Sequence, residues 1–102
     1  MVPAPVFAAL GSATRLELVS RLSDGNEYSI TALTEGLELT RQSTTKHLRV
    51  LQDAGVVDCR HVGREKRFAI RPGSIDQAKA YLARISDQWD SAIARLRATV
   101  EK

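Results

Sequence analysis

The sequence predicts a single, mostly helical domain that carries one small β-hairpin, an α+β architecture. Three observations support this fold class. Apolar residues recur at steps of three and four along most of the chain, and the period shortens to two between residues 57 and 70. The chain has 102 residues, of which 43% are hydrophobic, so it is long enough for one modest core and too short for two domains.

Composition excludes several classes of protein. The chain lacks a run of about 18 apolar residues, and Met1 to Pro5 lack a charged leader followed by an apolar stretch. We therefore expect neither a membrane span nor a secretory signal. The expected location is the cytoplasm. The single cysteine, Cys59, cannot form an internal disulfide or a thiolate cluster for zinc. Without a glycine-rich phosphate loop, a workable Ser-His-Asp order or paired carboxylates beside a histidine, we expect neither an enzyme nor a cofactor.

Two helices are predicted near the N-terminus. Val6 to Leu10 form the first, a short apolar packing or dimerisation element that Gly11 closes. Ser12 caps the second, which ends at Asp24-Gly25. The apolar stripe of the second helix consists of Leu16, Val19 and Leu22. Leu18 lies off that stripe and would need a second surface to cover it.

A pair of helices joined by a short linker follows. Ser29 is the candidate cap of the first, Ile30 to Gly36, and Thr40 caps the second, which Gly55 ends in a left-handed conformation. The second helix buries a stripe formed by Thr44, Leu48, Leu51 and Ala54 or Gly55. Because the linker is only about four residues long, the helices cannot lie apart, and the pair is typical of a helix-turn-helix.

The opposite side of the second helix of this pair has the chemistry of DNA recognition. Its side chains are Arg41, Gln42, Thr45, Lys46 and Arg49. Guanidinium and ammonium groups bind phosphates and guanine edges, whereas amides and hydroxyls bind other base edges. Taken alone, the stretch also fits an ordinary surface helix with solvated polar residues.

Residues 57–70 are predicted to form a hairpin with its tip at Gly63 to Glu65. Its basic residues, together with one histidine, are Arg60, His61, Arg64, Lys66 and Arg67. From Thr40 to Arg71 the chain has eight Lys or Arg residues against three acidic ones, while the rest has seven against nine. Such a hairpin after a recognition-type helix indicates a wing that lies along a phosphate backbone or a minor groove.

A long one-sided helix is predicted from Ser74 or Ile75 to about Val100. Its apolar stripe consists of Ala78, Leu82, Ile85, Trp89, Ile93 (or Ala92), Leu96 and Val100. Much of this stripe would stay exposed in a monomer, so we expect a two-fold interface formed with the N-terminal helix. The interface residues would be Val6, Phe7, Leu10, Leu82, Ile85, Trp89, Ile93 and Leu96. Four of these residues could instead form the wall of an effector pocket: Ile85, Trp89, Ile93 and Leu96.

The order of elements and several local strings resemble the ArsR-like (ArsR/SmtB) winged-helix transcriptional regulators of bacteria and archaea. The matching strings are Leu10 to Leu16, Ser29 to Leu33, Leu39 to Leu51, Ala54 to Val57 and Gly63 to Phe68. The resemblance covers nearly the whole chain. It implies five helices with a wing, and a cytoplasmic homodimer that binds imperfect inverted repeats at promoters, normally as a repressor.

Metal sensing is the part of the family's function that this sequence does not match. Founding members bind metals through a Cys-x-Cys, where this chain has Ser29-Ile30-Thr31, or through His and carboxylates on the last helix, which here has no histidine. Hydroxyls are poor ligands for zinc and thiophilic metals. The chain therefore resembles the non-metal branch, whose inducers are often unknown, and a small-molecule effector of unidentified chemistry is left open as a partner.

The candidate DNA contacts fall into two groups. Residues expected at bases and nearby phosphates are Arg41, Gln42, Ser43, Thr45 and Lys46, and those expected on the backbone are Arg49, Arg60, Arg64, Lys66 and Arg67. His47 either contacts a phosphate, fixes the helix or simply packs. Cys59 is expected to be a small apolar residue, with a redox role as the alternative. The alternative function is a winged-helix module that binds an acidic protein partner without DNA affinity. The DNA-binding core would span residues 12–71 and the dimerisation helix residues 74–100.

Overall fold

The computed structural model describes residues 4–100, which form five helices and a three-stranded antiparallel sheet. The helices are α1 (Ala4–Leu10), α2 (Ala13–Leu22), α3 (Ile30–Thr34), α4 (Arg41–Asp53) and α5 (Asp76–Val100). The strands are β1 (Tyr28–Ser29), β2 (Val57–Val62) and β3 (Glu65–Ile70). The predicted helices and wing are confirmed, with α3 ending at Thr34 rather than Gly36. Strand β1 was not anticipated.

Three helices begin at the hydroxyl residues that the sequence indicates. The capping bonds run from Arg15 N to Ser12 Oγ (3.3 Å), from Ala32 N to Ser29 Oγ (3.1 Å) and from Ser43 N to Thr40 Oγ1 (3.0 Å). Each bond satisfies a backbone N–H that the first helical turn leaves without a partner. At the other end of α4, Gly55 has φ of +79°, the left-handed conformation that favours glycine and lets the helix stop.

The core forms where α2, α3 and α4 meet the inner face of the sheet. Its fully or almost fully buried members include Leu18, Leu22, Leu33, Leu48, Leu51, Val56, Val57 and Phe68. The predicted stripe of α2 was therefore wrong in one respect. Leu18 is fully buried, whereas Leu16 is 52% exposed. The reason is that the surfaces around α2, rather than its own periodicity, decide which leucine is covered.

A buried hydroxyl connects the two helices of the helix-turn-helix. Thr44 on α4 is fully buried, and its hydroxyl donates to the carbonyl oxygen of Thr40 at 3.1 Å. The Thr44 hydroxyl oxygen in turn accepts a hydrogen bond from the hydroxyl of Thr34, at the end of α3, at 3.0 Å. A buried polar contact of this kind costs free energy when its groups are separated, so it helps to set the angle between α3 and α4.

The sheet has the strand order β1-β3-β2, so the two outer strands share no backbone hydrogen bonds with each other. β2 and β3 pair from Val57 with Ile70 to Val62 with Glu65, and Gly63-Arg64 make the turn. β1 pairs with the free side of β3 through Tyr28 with Phe68 and Ser29 with Arg67. Because α3 starts directly after β1, the sheet is joined to the helix-turn-helix at that edge.

Helix α5 extends away from the rest of the domain. The molecule with this helix included measures 68 × 27 × 21 Å along its principal axes. Near its start, Ala78 is buried and the Tyr81 ring lies 5.8 Å from the Phe7 ring of α1. Further along, the apolar stripe is exposed, with Trp89 at 65% and Leu96 at 63%. The expectation that much of the stripe would remain uncovered in a single chain is confirmed.

We predict that Thr44→Val lowers the free energy of unfolding by about 1 kcal/mol, because it removes the hydroxyl between α3 and α4 while keeping the shape of the side chain. Urea unfolding followed by circular dichroism measures the change. The control is Thr45→Val, since the Thr45 hydroxyl donates within its own helix, to the Arg41 carbonyl at 2.7 Å. Equal losses in the two variants would contradict the proposed role of the buried contact.

Candidate nucleic-acid interface

The solvent side of α4 is mostly polar, with Val50, which is 41% exposed, as its large apolar residue. Because Thr44, Leu48 and Leu51 hold the inner side in the core, the side chains between them project outward. A shallow concavity of about 280 Å³ is lined by Gln42, Thr45, Lys46 and Arg49. These four residues were predicted to contact DNA, and the fold places them side by side.

A second, larger groove lies between the helix-turn-helix and the wing. Its volume is about 730 Å³, and its lining residues are Ser29, Ile30, Thr31, Arg41, Arg64, Glu65 and Lys66. Three cations from the start of α4 and the wing tip therefore face one space, with Glu65 as its acidic residue. The fold thus brings the predicted wing residues next to the predicted recognition helix.

Ion pairs divide the basic residues of this region into two groups. Three arginines have carboxylate partners: Arg60 with Glu27, Arg67 with Glu65 at 3.6 Å, and Arg71 with Asp58 at 2.7 Å. Among residues 4–100, no carboxylate lies within 4.0 Å of the other five. These five residues, which we call the unpaired cations, are Arg41, Lys46, Arg49, Arg64 and Lys66.

The pair between Arg60 and Glu27 is the most complete of the three. The guanidinium donates through Nε to Oε2 at 2.7 Å and through Nη2 to Oε1 at 2.5 Å. These hydrogen bonds hold the pKa of Glu27 below its ordinary value of 4.5, and the positive charges of Arg60 and Arg67 act in the same direction. Sequence reasoning missed Glu27 because it lies 33 positions from Arg60.

His47 is half-buried and lies beside Arg15 of α2. Its Nδ1 is 3.4 Å from Nη1 of Arg15, and Nε of Arg15 donates to the carbonyl oxygen of Ala9 at the end of α1. A guanidinium N–H can donate to Nδ1 only when that nitrogen carries no proton. This geometry favours the interpretation in which His47 fixes α4, and it adds Arg15, a link between three helices that the sequence did not indicate.

The described residues give no metal site, and Cys59 lies in the sheet. Cys59 is half-buried, pairs in register with Phe68 and packs against the core, as a small apolar residue would. Within residues 4–100, no three His, Cys, Asp or Glu side chains are grouped so that they could hold a metal ion. None of the helices in that range combines the length and hydropathy that crossing a membrane requires.

A helix-turn-helix followed by a basic antiparallel hairpin defines the winged helix-turn-helix class of DNA-binding domains. Comparison with known proteins narrows the class. Residues 10–60 match the family described as a helix-turn-helix domain. The chain is 40% identical over 65 residues to the HTH-type transcriptional regulator YuzN of Bacillus subtilis. The aligned region covers 58% of this chain and 71% of YuzN.

Solved structures agree with the sequence comparison. The ArsR-like transcriptional regulator from Rhodococcus sp. RHA1 superposes with a TM-score of 0.76 and 35% identity, over 92% of this chain and 88% of that one. The chain belongs to the ArsR-like family of winged helix-turn-helix transcriptional regulators. A Mycobacterium bovis domain, described as a homodimeric winged helix-turn-helix DNA-binding domain, shares the fold, with a TM-score of 0.67 and 21% identity over 83% of this chain and 78% of that one.

The comparisons confirm the predicted family and the coarse function, a regulator of transcription with a DNA-binding fold. The family consists of regulators rather than enzymes.

Proposed function

We propose that this protein is a repressor that binds, as a homodimer, to an inverted-repeat operator in double-stranded DNA. The observation that carries the proposal is how the fold groups the unpaired cations. The groove beside the wing is lined by Arg41, Arg64 and Lys66, and the concavity on α4 is lined by Lys46 and Arg49. A phosphate backbone would supply the anionic partners that these five residues do not have within residues 4–100. Repression would follow when the bound dimer occupies a promoter.

Sequence recognition is assigned to the first turns of α4, with Arg41, Gln42, Ser43, Thr45 and Lys46 in the major groove. Gln42 is exposed, and its amide has both a donor and an acceptor for an adenine edge. The Thr45 hydroxyl already donates to the Arg41 carbonyl, so toward a base it can only accept. The Ser43 backbone N–H is bound by the Thr40 cap, so the group that Ser43 would offer to DNA is its hydroxyl.

Backbone contacts are assigned to Arg49, Arg64 and Lys66, with His47 holding α4 from behind. Arg64 lies at the turn of the hairpin and is exposed, so it can reach a phosphate or a minor groove beside the site of α4. Arg60 and Arg67 were predicted to join this group. To do so they would have to leave or share the carboxylates of Glu27 and Glu65.

The homodimer is proposed from the exposed stripe of α5. Apolar surface gains about 25 cal/mol per Å² when it is buried, and a second copy offers a matching stripe. On α1, Phe7 already lies against Tyr81 of α5, and Val6 and Leu10 pack nearby on the core, so both terminal helices meet at one surface. Two-fold symmetry would place two α4 helices about 34 Å apart, which is one turn of DNA.

Regulation by zinc or thiophilic metals is not part of the proposal. Ser29 and Thr31 occupy the positions where metal-sensing relatives carry thiolates, and Ser29 is used as the cap of α3. A small-molecule effector would have to bind elsewhere. A shallow concavity of about 220 Å³ beside Gln88, Trp89 and Ala92 belongs to the stripe that the second copy would cover.

We predict that Arg64→Ala weakens binding to every duplex and reduces the magnitude of the slope of log K against log salt by about 0.9. The reason is that one phosphate contact is lost, together with the counterion release that this contact causes. Fluorescence anisotropy with labelled duplexes at four salt concentrations measures the slope. Arg71→Ala is the matched control, since Arg71 lies after the same hairpin and is paired with Asp58. Titration of the parent also tests the alternative of a protein-binding module, which would not bind duplex DNA even at low salt.

We expect Gln42→Ala to reduce the preference for operator over random DNA by about tenfold or more, because an amide contact to a base is worth about 1–3 kcal/mol. The salt slope should stay that of the parent, since Gln42 carries no charge. Competition between a selected operator and random duplex gives the ratio. An unchanged ratio would remove Gln42 from base recognition.

Leu96→Asp is expected to convert the dimer into a monomer, because it places a charge in the proposed interface. Sedimentation velocity measures the mass. Trp89 is the single tryptophan of the chain, so its emission should shift to the red as the interface opens. Ser91→Asp, an exposed position on the other side of the same helix, should leave the dimer intact. A parent protein that sediments as a monomer would contradict the proposed assembly.

A further inference from the structure

The hydrogen bonds between Arg60 and Glu27 join parts of the sheet that do not touch through their backbones. Arg60 lies on β2, and Glu27 directly precedes β1. Since β3 separates these strands, the Arg60 side chain reaches across β3, where Arg67 is its partner in register. The bond therefore links β2, over β3, to the residue that directly precedes β1.

The direction of this link leads away from the wing tip. β3 runs from the tip at Glu65 toward Ile70, and β1 is antiparallel to it. Glu27 comes before Tyr28, the partner of Phe68, so it lies further from the tip than Ser29, the partner of Arg67. The Arg60 guanidinium is thus held toward the body of the domain rather than toward the end of the wing.

Glu27 is itself fixed from both sides. In the preceding turn, the Asp24 carboxylate accepts a hydrogen bond from the Asn26 N–H at 2.9 Å and another from the Tyr28 hydroxyl. After Glu27, the chain pairs with β3 through Tyr28. Because the backbone around Glu27 is already held and both carboxylate oxygens are bound, forming this pair costs less conformational entropy than forming an isolated ion pair on the surface.

The link continues into the recognition helix. β1 leads directly into α3, and Thr34 at the end of α3 contacts Thr44 of α4. Strand β1 lies at the edge of the sheet and has only two residues, which is shorter than most strands. Side-chain bonds near such a strand therefore help to hold it against β3. The bond from Arg60 supplies that support at the point where the wing meets the helix-turn-helix.

We infer that Arg60 and Glu27 are positioning residues: together they fix the wing relative to α4, so that Arg64 and Lys66 meet the DNA backbone while α4 lies in the groove. This inference rests on the proposed DNA-binding function. It assigns Glu27, an acidic residue, a favourable role in binding a polyanion. Arg60 acts through this bond and not as a phosphate contact.

The test measures duplex binding by the full chain, using a duplex selected by the parent from random sequence, at several salt concentrations. The variants are Glu27→Gln, Arg60→Gln and the exchange of both residues, Glu27→Arg with Arg60→Glu. Each single variant should bind about two- to fivefold more weakly, with the salt slope of the parent. The exchange should restore most of the affinity, because it restores the pair with its charges reversed.

The sign of the Glu27→Gln effect decides between the two roles of Arg60. Removing an acid raises the net charge and frees Arg60, so tighter binding would mean that Arg60 contacts DNA and would overturn the inference. A lower salt slope in Arg60→Gln, or equal affinity in all variants, would overturn it as well. If the parent does not bind duplex DNA, both the proposed function and this inference are overturned. If the parent binds and the variants give a contradicting result, only the positioning role of Arg60 and Glu27 is overturned.

A matched control and an independent measurement complete the design. Asp58→Asn breaks the pair with Arg71 in the same hairpin without touching β1, so it should not weaken binding. Thermal unfolding verifies that each variant is folded at the temperature of the binding assay. NMR titration of the Glu27 carboxyl should show its pKa rising toward 4.5 in Arg60→Gln, and an unchanged pKa would exclude the bond in solution.

Discussion

The one-sided burial of α4 is the constraint on which the rest of the structure depends. Leu48 and Leu51 are fully buried, and Thr44 beside them contacts α3 through its hydroxyl. Because core packing holds the helix from one side, its other side has no role in the core and is mostly polar, apart from the exposed Val50. Burial of the inner side also sets the direction in which the outer side faces, and therefore the surface that a partner meets.

Most of this arrangement could be predicted because its signals are local. Thr40 and Gly55 mark the ends of α4, and the spacing of the apolar residues between them fits only one buried face. In α2, by contrast, Leu16 and Leu18 both fit an amphipathic helix, and the neighbouring elements decide that Leu18 is buried. β1 has two residues and exists because β3 offers a free edge, so no pattern within the strand could reveal it.

The electrostatics show the same limit. Counting charges located the positive segment, since the surplus between Thr40 and Arg71 is a property of the sequence. The count could not tell which cations are available, because Glu27 neutralises Arg60 from outside the segment. Pairing depends on the register of the sheet and on which strands are neighbours. The unpaired cations at α4 and the wing tip are therefore a result of topology as much as of composition.

Helix α5 connects the proposed assembly to DNA recognition. Within Asp76–Val100 the buried residue is Ala78, so most of the helix gains little from packing in a single chain. In the proposed dimer, the stripe around Trp89 and Leu96 would gain that packing from the second copy, and the same contact would set the distance between the two α4 helices. Spacing of the half-sites would then depend on residues that never touch DNA. A ligand that changes the packing of α5 would change operator affinity without approaching the recognition helix.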